Sequence, residues 1–421
     1  MGGRTYVIGA GLAGLSAAVR LAERGRAVVL IEGAAQAGGR CRSYVDTALG
    51  MTIDNGNHLV LSGNHATYSF LRSLGTEDRL AGPKDAIFDF CDVRDGRRWT
   101  LRPNPGAIGW WVFAASRRVP DTHAGDYLQL AKLLAPQGER RLCDVIRCAG
   151  PLWERLIEPL MLAALNTDPA LGSAELAGAI VRETLAVGGR AYAPRIADPS
   201  LDAAFIAPAL AFLAARGVEV RIGRRVEAIE TDDVRALGLT VGGETIALTP
   251  DDTVVVATPA WTTPALLPGV SAPDAFCSIV NGHFKIDPPA GAPKIVGVIG
   301  GMAQWLFAFD GRISTTISGA DAVVDMPREQ MAAALWADVA KVYGLGGVET
   351  PPWQIVKERR ATFAATPDQV AKRPKAATRW RNLALAGDWT DTGLPATIEG
   401  AIRSGHKAAE IILPLTTATT S

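Results

Sequence analysis

The chain has 421 residues, 48% hydrophobic and 20% charged, with 43 basic residues against 43 acidic ones. That length exceeds one ordinary core and implies two or three domains, while the balanced charge argues against a nucleic-acid partner. The five cysteines, Cys41, Cys91, Cys143, Cys148 and Cys277, include no C-x-x-C pair, which reads as free thiols in a reducing cytoplasm with no disulfide framework and no metal site.

Along the chain, Thr5 to Ile8 is a short apolar strand, Gly9 to Gly14 punctuate it, and Leu15 to Arg24 carry a helical pattern stopped by Gly25. Ala27 to Ile31 is a second buried strand, so the chain opens with a βαβ unit of about thirty residues. The N-terminus lacks the basic-then-apolar layout of a signal peptide. No apolar run reaches the roughly 18 to 20 residues that span a bilayer, so any membrane contact is expected to be peripheral. Residues 86 to 195 are aromatic- and proline-rich, with helical patterns at Asp126 to Leu134 and Pro151 to Leu165.

Leu201 to Ala215 is helical, with strands expected at Val218 to Ile222, Val226 to Ile229 and Val254 to Ala257. Antiparallel strands follow at Ile295 to Ile299, Gln304 to Phe309 and Arg312 to Ile317, then a helix over Arg328 to Tyr343. Leu383 to Ala386 is a last buried strand before a helix from about Ala396 to Leu413, and the tail Thr416 to Ser421 is expected to be disordered.

The first chemical signal is Gly9-Ala10-Gly11-Leu12-Ala13-Gly14, between a strand and a helix. Gly9 allows a tight turn, Gly11 lets the backbone approach a pyrophosphate, and Gly14 lets helix pack on strand. The helix start with Leu12 and Ala13 then offers free N–H groups and a positive dipole end. Glu32, ending the second strand, suits a ribose hydroxyl and disfavours a 2′-phosphate. Gly38-Gly39-Arg40 suits a second approach to phosphate, with Gly39 and Arg40 in contact. Near the other end, Gly387-Asp388 closes a strand and offers a carboxylate to ribityl hydroxyls. The helix beginning at Ala396, Thr397 and Ile398 aims its N-terminus at a flavin pyrimidine. FAD, bound noncovalently, is therefore the expected cofactor.

The fold class expected is α/β: a glutathione-reductase-like, two-domain FAD-binding fold of Rossmann type with an inserted mixed α+β substrate domain. The FAD domain is discontinuous, over residues 1–85, 196–264 and 381–421. The substrate domain comprises 86–195 and 265–380.

These motifs, with Val7 to Ala18 and Arg225-Val226, resemble the flavin-containing amine oxidase and phytoene-desaturase superfamily over nearly the whole chain. The resemblance implies that Val226 contacts the adenine through its backbone. Asp54-Asn55-Gly56-Asn57-His58-Leu59-Val60-Leu61-Ser62-Gly63-Asn64, with Leu152-Trp153 and Leu165-Asn166, is similar to the squalene-associated hydroxysqualene dehydroxylases of bacterial hopanoid pathways. That likeness sets Asn55, Gly56 and Asn57 beside the flavin. It implies reductive loss of an allylic hydroxyl from a linear triterpene alcohol, with an unidentified electron donor reducing FAD.

The leaving oxygen needs an acid and the cation a dry surrounding. His58 and Asp54 are the candidate acids, each with a structural alternative: a hydrogen-bonded histidine and a loop-ordering carboxylate. Glu399 is expected to cap backbone donors, and the Ser404-x-x-Lys407 spacing is read as chance. Trp110-Trp111-Val112-Phe113 with Arg117 and Arg118 suits a membrane interface or an ordinary core segment. The expected location is cytoplasmic, peripheral on the inner face of the cytoplasmic membrane. Two other function classes fit the motifs, an oxidising carotenoid desaturase or amine oxidase, and a prenyl-binding protein like the GDP-dissociation inhibitors.

Overall fold

The computed structural model of the chain describes residues 3–416. The strand Arg4–Ile8 lies in the centre of a five-stranded parallel sheet, flanked by Ala27–Glu32 and then Glu219–Ile222 on one side, and by Thr253–Val256 and then Leu383–Leu385 on the other. Both faces of this sheet are covered, which is why Tyr6 to Ile8, Val28 to Ile31 and Val254 to Val256 are apolar without alternation. Val7, Leu30 and Val255 pack with the helices Leu12–Glu23 and Ile398–Ile412. Ile8, Ile31 and Val256 pack instead with Ile229 and Leu239, which belong to a three-stranded antiparallel sheet of Val226–Thr231, Ala236–Val241 and Glu244–Ala247. The first and last helices touch backbone to backbone. A Cβ at Gly405 would stand 2.1 Å from the carbonyl oxygen of Ala13, so only glycine fits there.

A second sheet of seven strands runs Trp353–Phe363, Phe276–Phe284, Arg312–Ser318, Trp305–Phe309, Ile295–Ile299, Phe88–Asp92 and Arg98–Leu101. Its faces divide by the two-residue period of a strand. Val280, Phe284 and Ile313 lie against Met331, Leu335 and Trp336 of the helix Arg328–Tyr343. Asn281, His283, Ser314 and Thr316, on the opposite face, are polar yet buried. That face meets the segment after the strand Met51–Asp54 through hydrogen bonds from Asn57 to Asn281 and Thr316.

Several elements have the expected bounds, among them Ile295–Ile299 and Arg328–Tyr343. Two expected helices are less regular than their patterns. Each opens on a π-helical turn, Trp153–Ile157 and Asp202–Ile206, before the α-helices Glu158–Leu165 and Ala207–Ala214. In both, a proline (Pro159, Pro208) is the second α-helical residue. It cannot donate to the preceding turn and its ring crowds that carbonyl, which a widened turn relieves. Ala124–Leu134 is a run of 3₁₀ turns. The expectation for the tail concerns residues outside those described, apart from Thr416.

The cysteine reading needs correction. Cys143 and Cys148 form a disulfide, their Cα atoms 5.5 Å apart, while Cys41, Cys91 and Cys277 are free and buried. The curvature of the Leu142–Gly150 loop brings the two together, and spacing alone does not reveal curvature. With that pair joined, the argument from free thiols to a reducing compartment falls.

Candidate active site

The glycine motif divides by what each position tolerates. Gly9 sits at φ +105°, where a Cβ would lie 2.6 Å from the Ala257 carbonyl, and a Cβ at Gly14 would lie 1.8 Å from the Gly9 carbonyl. Both glycines are required by the protein's own backbone. Gly11 is different: its φ of −73° suits any residue, and a Cβ there meets no heavy atom within 4 Å. Open space above the second glycine is the room a pyrophosphate takes, so the cradle fits a dinucleotide.

Glu32 accepts from the amides of Ala10 and Ala34, each at 2.7 Å, which holds the carboxylate beside the cradle. Leu12 and Ala13 are buried at the helix start. Gly38 donates to the Ala10 carbonyl at 2.8 Å, and a Cβ on Gly39 would come within 3.4 Å of the Gly11 Cα, so this loop lies against the same cradle. Val226 follows Arg225, whose Cα a Cβ on Gly33 would approach to 3.5 Å. The Arg225-Val226 backbone thus lies beside the end of the Glu32 strand.

Arg40 and Asp388, expected on different parts of the ligand, meet each other at 2.7 Å, and Arg40 also donates to the Ala361 carbonyl. The Gly387–Thr392 turn is held by residues the motif reading passed over. Buried Arg373 donates to the carbonyls of Asp388 and Thr390 and to the Thr392 hydroxyl. The Ser404 hydroxyl accepts from the Gly387 amide at 2.8 Å, so the serine read as chance spacing anchors this turn. Lys407 is exposed and pairs with Glu410. Thr397 caps the last helix, its hydroxyl accepting from the Gly400 amide at 3.0 Å, with Ala396 before it and Ile398 as its first residue.

Glu399 does cap backbone donors, though on another helix: it accepts from the amides of Ala66 and Thr67 at the start of His65–Leu74. No sequence period could have linked positions so far apart.

Against the strand Trp305–Phe309 of the seven-stranded sheet lies a cavity of about 10 Å³, lined by Asp54, Asn57, His58, Ile196, Ala197, Leu201, Phe307 and Phe309. The two candidate acids therefore converge on one small space. Burial, reinforced by the Arg40 cation, lowers the His58 pKa to about 4, leaving the imidazole neutral near pH 7. Burial pushes the Asp54 carboxyl above its usual range, against the pull of the Ser43 hydroxyl, the Leu201 amide and Arg312. Asn55 donates to Glu358 at 3.2 Å, and a Cβ on Gly56 would stand 3.2 Å from Asn281 Nδ2, so this segment is pressed against the second sheet. Cys41 lies 3.8 Å from His58, and burial pushes its thiol up to about 12, which keeps the sulfur protonated and unreactive.

The Trp110–Phe113 run is split between its two readings. Trp111 is buried and packs edge-on against Tyr127, whereas Ile108, Trp110, Phe113 and Leu128 are exposed, the least of them by 50%. The Arg117 guanidinium stacks 4.7 Å over the Trp110 ring.

The flavin-containing amine oxidoreductase family profile matches residues 12–413 of the chain. A hydroxysqualene dehydroxylase of Rhodopseudomonas palustris is 54% identical, covering 97% of this chain and 98% of that protein. One from Sinorhizobium fredii is 49% identical, with the same coverage. Among solved structures, cyclohexylamine oxidase of Brevibacterium oxydans superposes with a TM-score of 0.72 at 16% identity, over 99% of this chain and 100% of that one. At that identity the likeness shows the fold.

Proposed function

The chain belongs to the flavin-containing amine oxidoreductase family, and from that membership we propose that it is an FAD-dependent hydroxysqualene dehydroxylase, converting hydroxysqualene to squalene. The observation that carries this reading is the 54% identity to such an enzyme along 97% of the chain. When bound, reduced FAD supplies the hydride that ends on the allylic carbon. The protein's own part is to bind, orient and dry. Gly11 would leave the pyrophosphate its space, while Arg40, Asp388, Val226 and the Thr397–Ile398 helix start would hold the rest of the cofactor. Asp54, with Asn57 and neutral His58 beside it, brings a proton donor to one cavity whose other lining residues are apolar, which favours loss of water and keeps bulk solvent from the cation.

An oxidising role toward amines has less support. Trp389, the aromatic residue that would flank the flavin, is 2% exposed and its indole donates to the Thr258 carbonyl. A prenyl-binding protein without turnover has no use for the open Gly11 cradle. The test is anaerobic incubation of the photoreduced holoenzyme with hydroxysqualene and mass analysis of the lipid extract. Squalene formed in proportion to flavin reoxidised is expected, and a desaturated or untouched substrate would refute the reading.

A substrate that is almost pure hydrocarbon resides in a bilayer. Among the described residues no helix is long and apolar enough to cross one. We therefore assign substrate collection to the exposed residues Ile108, Trp110, Phe113 and Leu128, with Arg117 and Arg118 at the headgroups of the inner membrane face.

A further inference from the structure

Seven buried side-chain polar atoms among the described residues have no hydrogen-bond partner, and four of them belong to Asn57, Asn281, His283 and Arg312. Asn57 lines the small cavity, and Asn281 and Arg312 stand next to its lining residues Asn57 and Asp54. Asn57 reaches from the Asp54–His58 segment and meets Asn281 at 3.3 Å. Asn281 and His283 stand two residues apart on one strand, so they share a face. Arg312 starts the neighbouring strand, with His283 paired to Ser314 in the register between them. Buried polar atoms without partners are costly and rare in native proteins, and their concentration in one place points to a polar guest.

Asp54 is the acidic member of the group. Its Oδ1 is held by the Ser43 hydroxyl at 2.6 Å and the Leu201 amide at 3.0 Å. Its Oδ2 lies 3.8 Å from Arg312 Nη2, with both side chains less than 5% exposed. That is an ion-pair distance too long for a hydrogen bond. The guanidinium is held elsewhere, donating to the Thr52 carbonyl and stacking 4.2 Å from the Phe309 ring. One carboxylate oxygen is thus committed and the other faces a cation without being locked to it. At about 10 Å³ the cavity beside it is the size of one water molecule.

We propose that this cavity seats the leaving oxygen of the allylic alcohol, that Asp54 is the acid that protonates it, and that Arg312 is a positioning residue that stabilises the carboxylate left behind. The inference rests on the dehydroxylase reading above. In the step, the Asp54 carboxyl proton moves to the substrate hydroxyl oxygen. The C–O bond breaks with both electrons on oxygen, water forms, and Asp54 becomes a carboxylate facing Arg312. The allylic cation takes its hydride from reduced FAD, and Asp54 regains a proton from solvent.

Neutral His58 accepts or donates a hydrogen bond at the cavity wall but stores no proton. Burial raises the Asp54 carboxyl pKa and Asp202 adds to the rise, while Arg312 opposes it. Of the remaining neighbours, His283 and His58 are held neutral and Cys41 is held as a thiol. Behind Arg312 stands Asp198. Arg312 is therefore the cation that faces Asp54, among the described residues.

The experiment uses FAD-loaded wild type, Asp54→Asn, Asp54→Glu, Arg312→Met and Arg312→Lys, each first checked for flavin content and Tm. Single-turnover reoxidation of the photoreduced flavin by hydroxysqualene is followed against pH. Asp54→Asn is expected to slow it by about 10²–10⁴-fold with little change in KM and to abolish the decline at high pH, and Asp54→Glu to restore part of the rate. Arg312→Met should move that decline to higher pH, because the carboxylate has lost its cation, and Arg312→Lys should move it back. Infrared difference spectra taken across the pH range of the decline give a reading without substrate: a protonated carboxyl band in wild type that disappears with the rate and that Asp54→Asn lacks.

Turnover of the flavin-replete Asp54→Asn protein within about threefold of wild type would overturn the proposal, as would an unmoved pH limb in Arg312→Met or the absence of the carboxyl band. If the Arg312 variants fail to fold, Asp54→Asn, which keeps size and shape, still decides the matter. A wild type that shows the band yet makes no squalene would instead refute the dehydroxylase reading and leave the Asp54 protonation in place.

Discussion

The nucleotide-binding end and the cavity end of this protein are built on opposite plans. At the Gly9–Gly14 turn, function comes from missing side chains, and the residues concerned lie within one turn of chain. Around Asp54 it comes from crowded polar side chains contributed by strands some 220 to 260 residues apart, such as Asn57 with Asn281 and Thr316. A backbone cradle tolerates little change at its structural glycines and one kind of change at its functional glycine. A polar cavity tolerates isosteric changes for folding but loses its chemistry. The difference teaches where sequence periodicity ends as a guide, and it can be tested at both ends.

The largest effects are expected in the cradle. Gly14→Ala forces a Cβ to 1.8 Å from the Gly9 carbonyl and should leave no soluble folded protein. Gly11→Val should fold, since its φ is −73°, but purify colourless, with a Tm matching that of flavin-stripped wild type. Full flavin occupancy in Gly11→Val would break the distinction between structural and functional glycines.

Next in size is Asp388→Ala. It removes a charge-assisted partner from the flavin region and leaves Arg40 without its carboxylate, so FAD affinity should fall by roughly 1.5–3 kcal/mol, about 10- to 150-fold. Titration of apoprotein with FAD measures it, and unchanged affinity would make the Arg40–Asp388 pair purely architectural.

The cavity end is sharpened by pH. His283 is fully buried, and burial, with Arg312 nearby, lowers its pKa to about 3. The unfolded imidazole takes a proton below about 6.5 and the folded one does not. Its contribution is therefore complete above pH 6.5 and is lost progressively as pH falls toward 3. By pH 5 that loss amounts to about 2 kcal/mol. Urea unfolding at pH 7 and pH 5 should show this decline in wild type beyond that in His283→Asn. Equal slopes would place His283 in a wetter surrounding than the cavity reading requires.

The smallest effect concerns the surface. Replacing Trp110, Phe113 and Leu128 by Ser should leave Tm nearly unchanged, because all three are exposed, and should cut flotation with liposomes by about tenfold or more. Trp111→Ser should do the reverse, costing about 3–5 kcal/mol of stability by analogy with other buried aromatics. Equal flotation of the triple variant and wild type would move substrate entry elsewhere.

Much of the nucleotide end was legible in the sequence by itself. The apolar runs of Arg4–Ile8 and Ala27–Glu32, the glycine spacing between them and the closing Glu32 depend on neighbours a few residues away, and local sterics leave such a segment one good solution. The same holds for Arg328–Tyr343, whose bounds follow from its own composition. Only the tertiary structure decided which long-range groups meet. Nothing near Glu399 announces that it caps the helix His65–Leu74. Nothing near Arg373 says that it grips the Gly387–Thr392 turn, and Trp110 and Trp111 are adjacent yet face solvent and core.

The disulfide between Cys143 and Cys148 and the convergence of Asp54, Asn281, His283 and Arg312 belong to the same class. Periodicity reports which face of an element is buried. It carries no record of what lies opposite that face, and a buried charge or amide takes its meaning from what lies opposite.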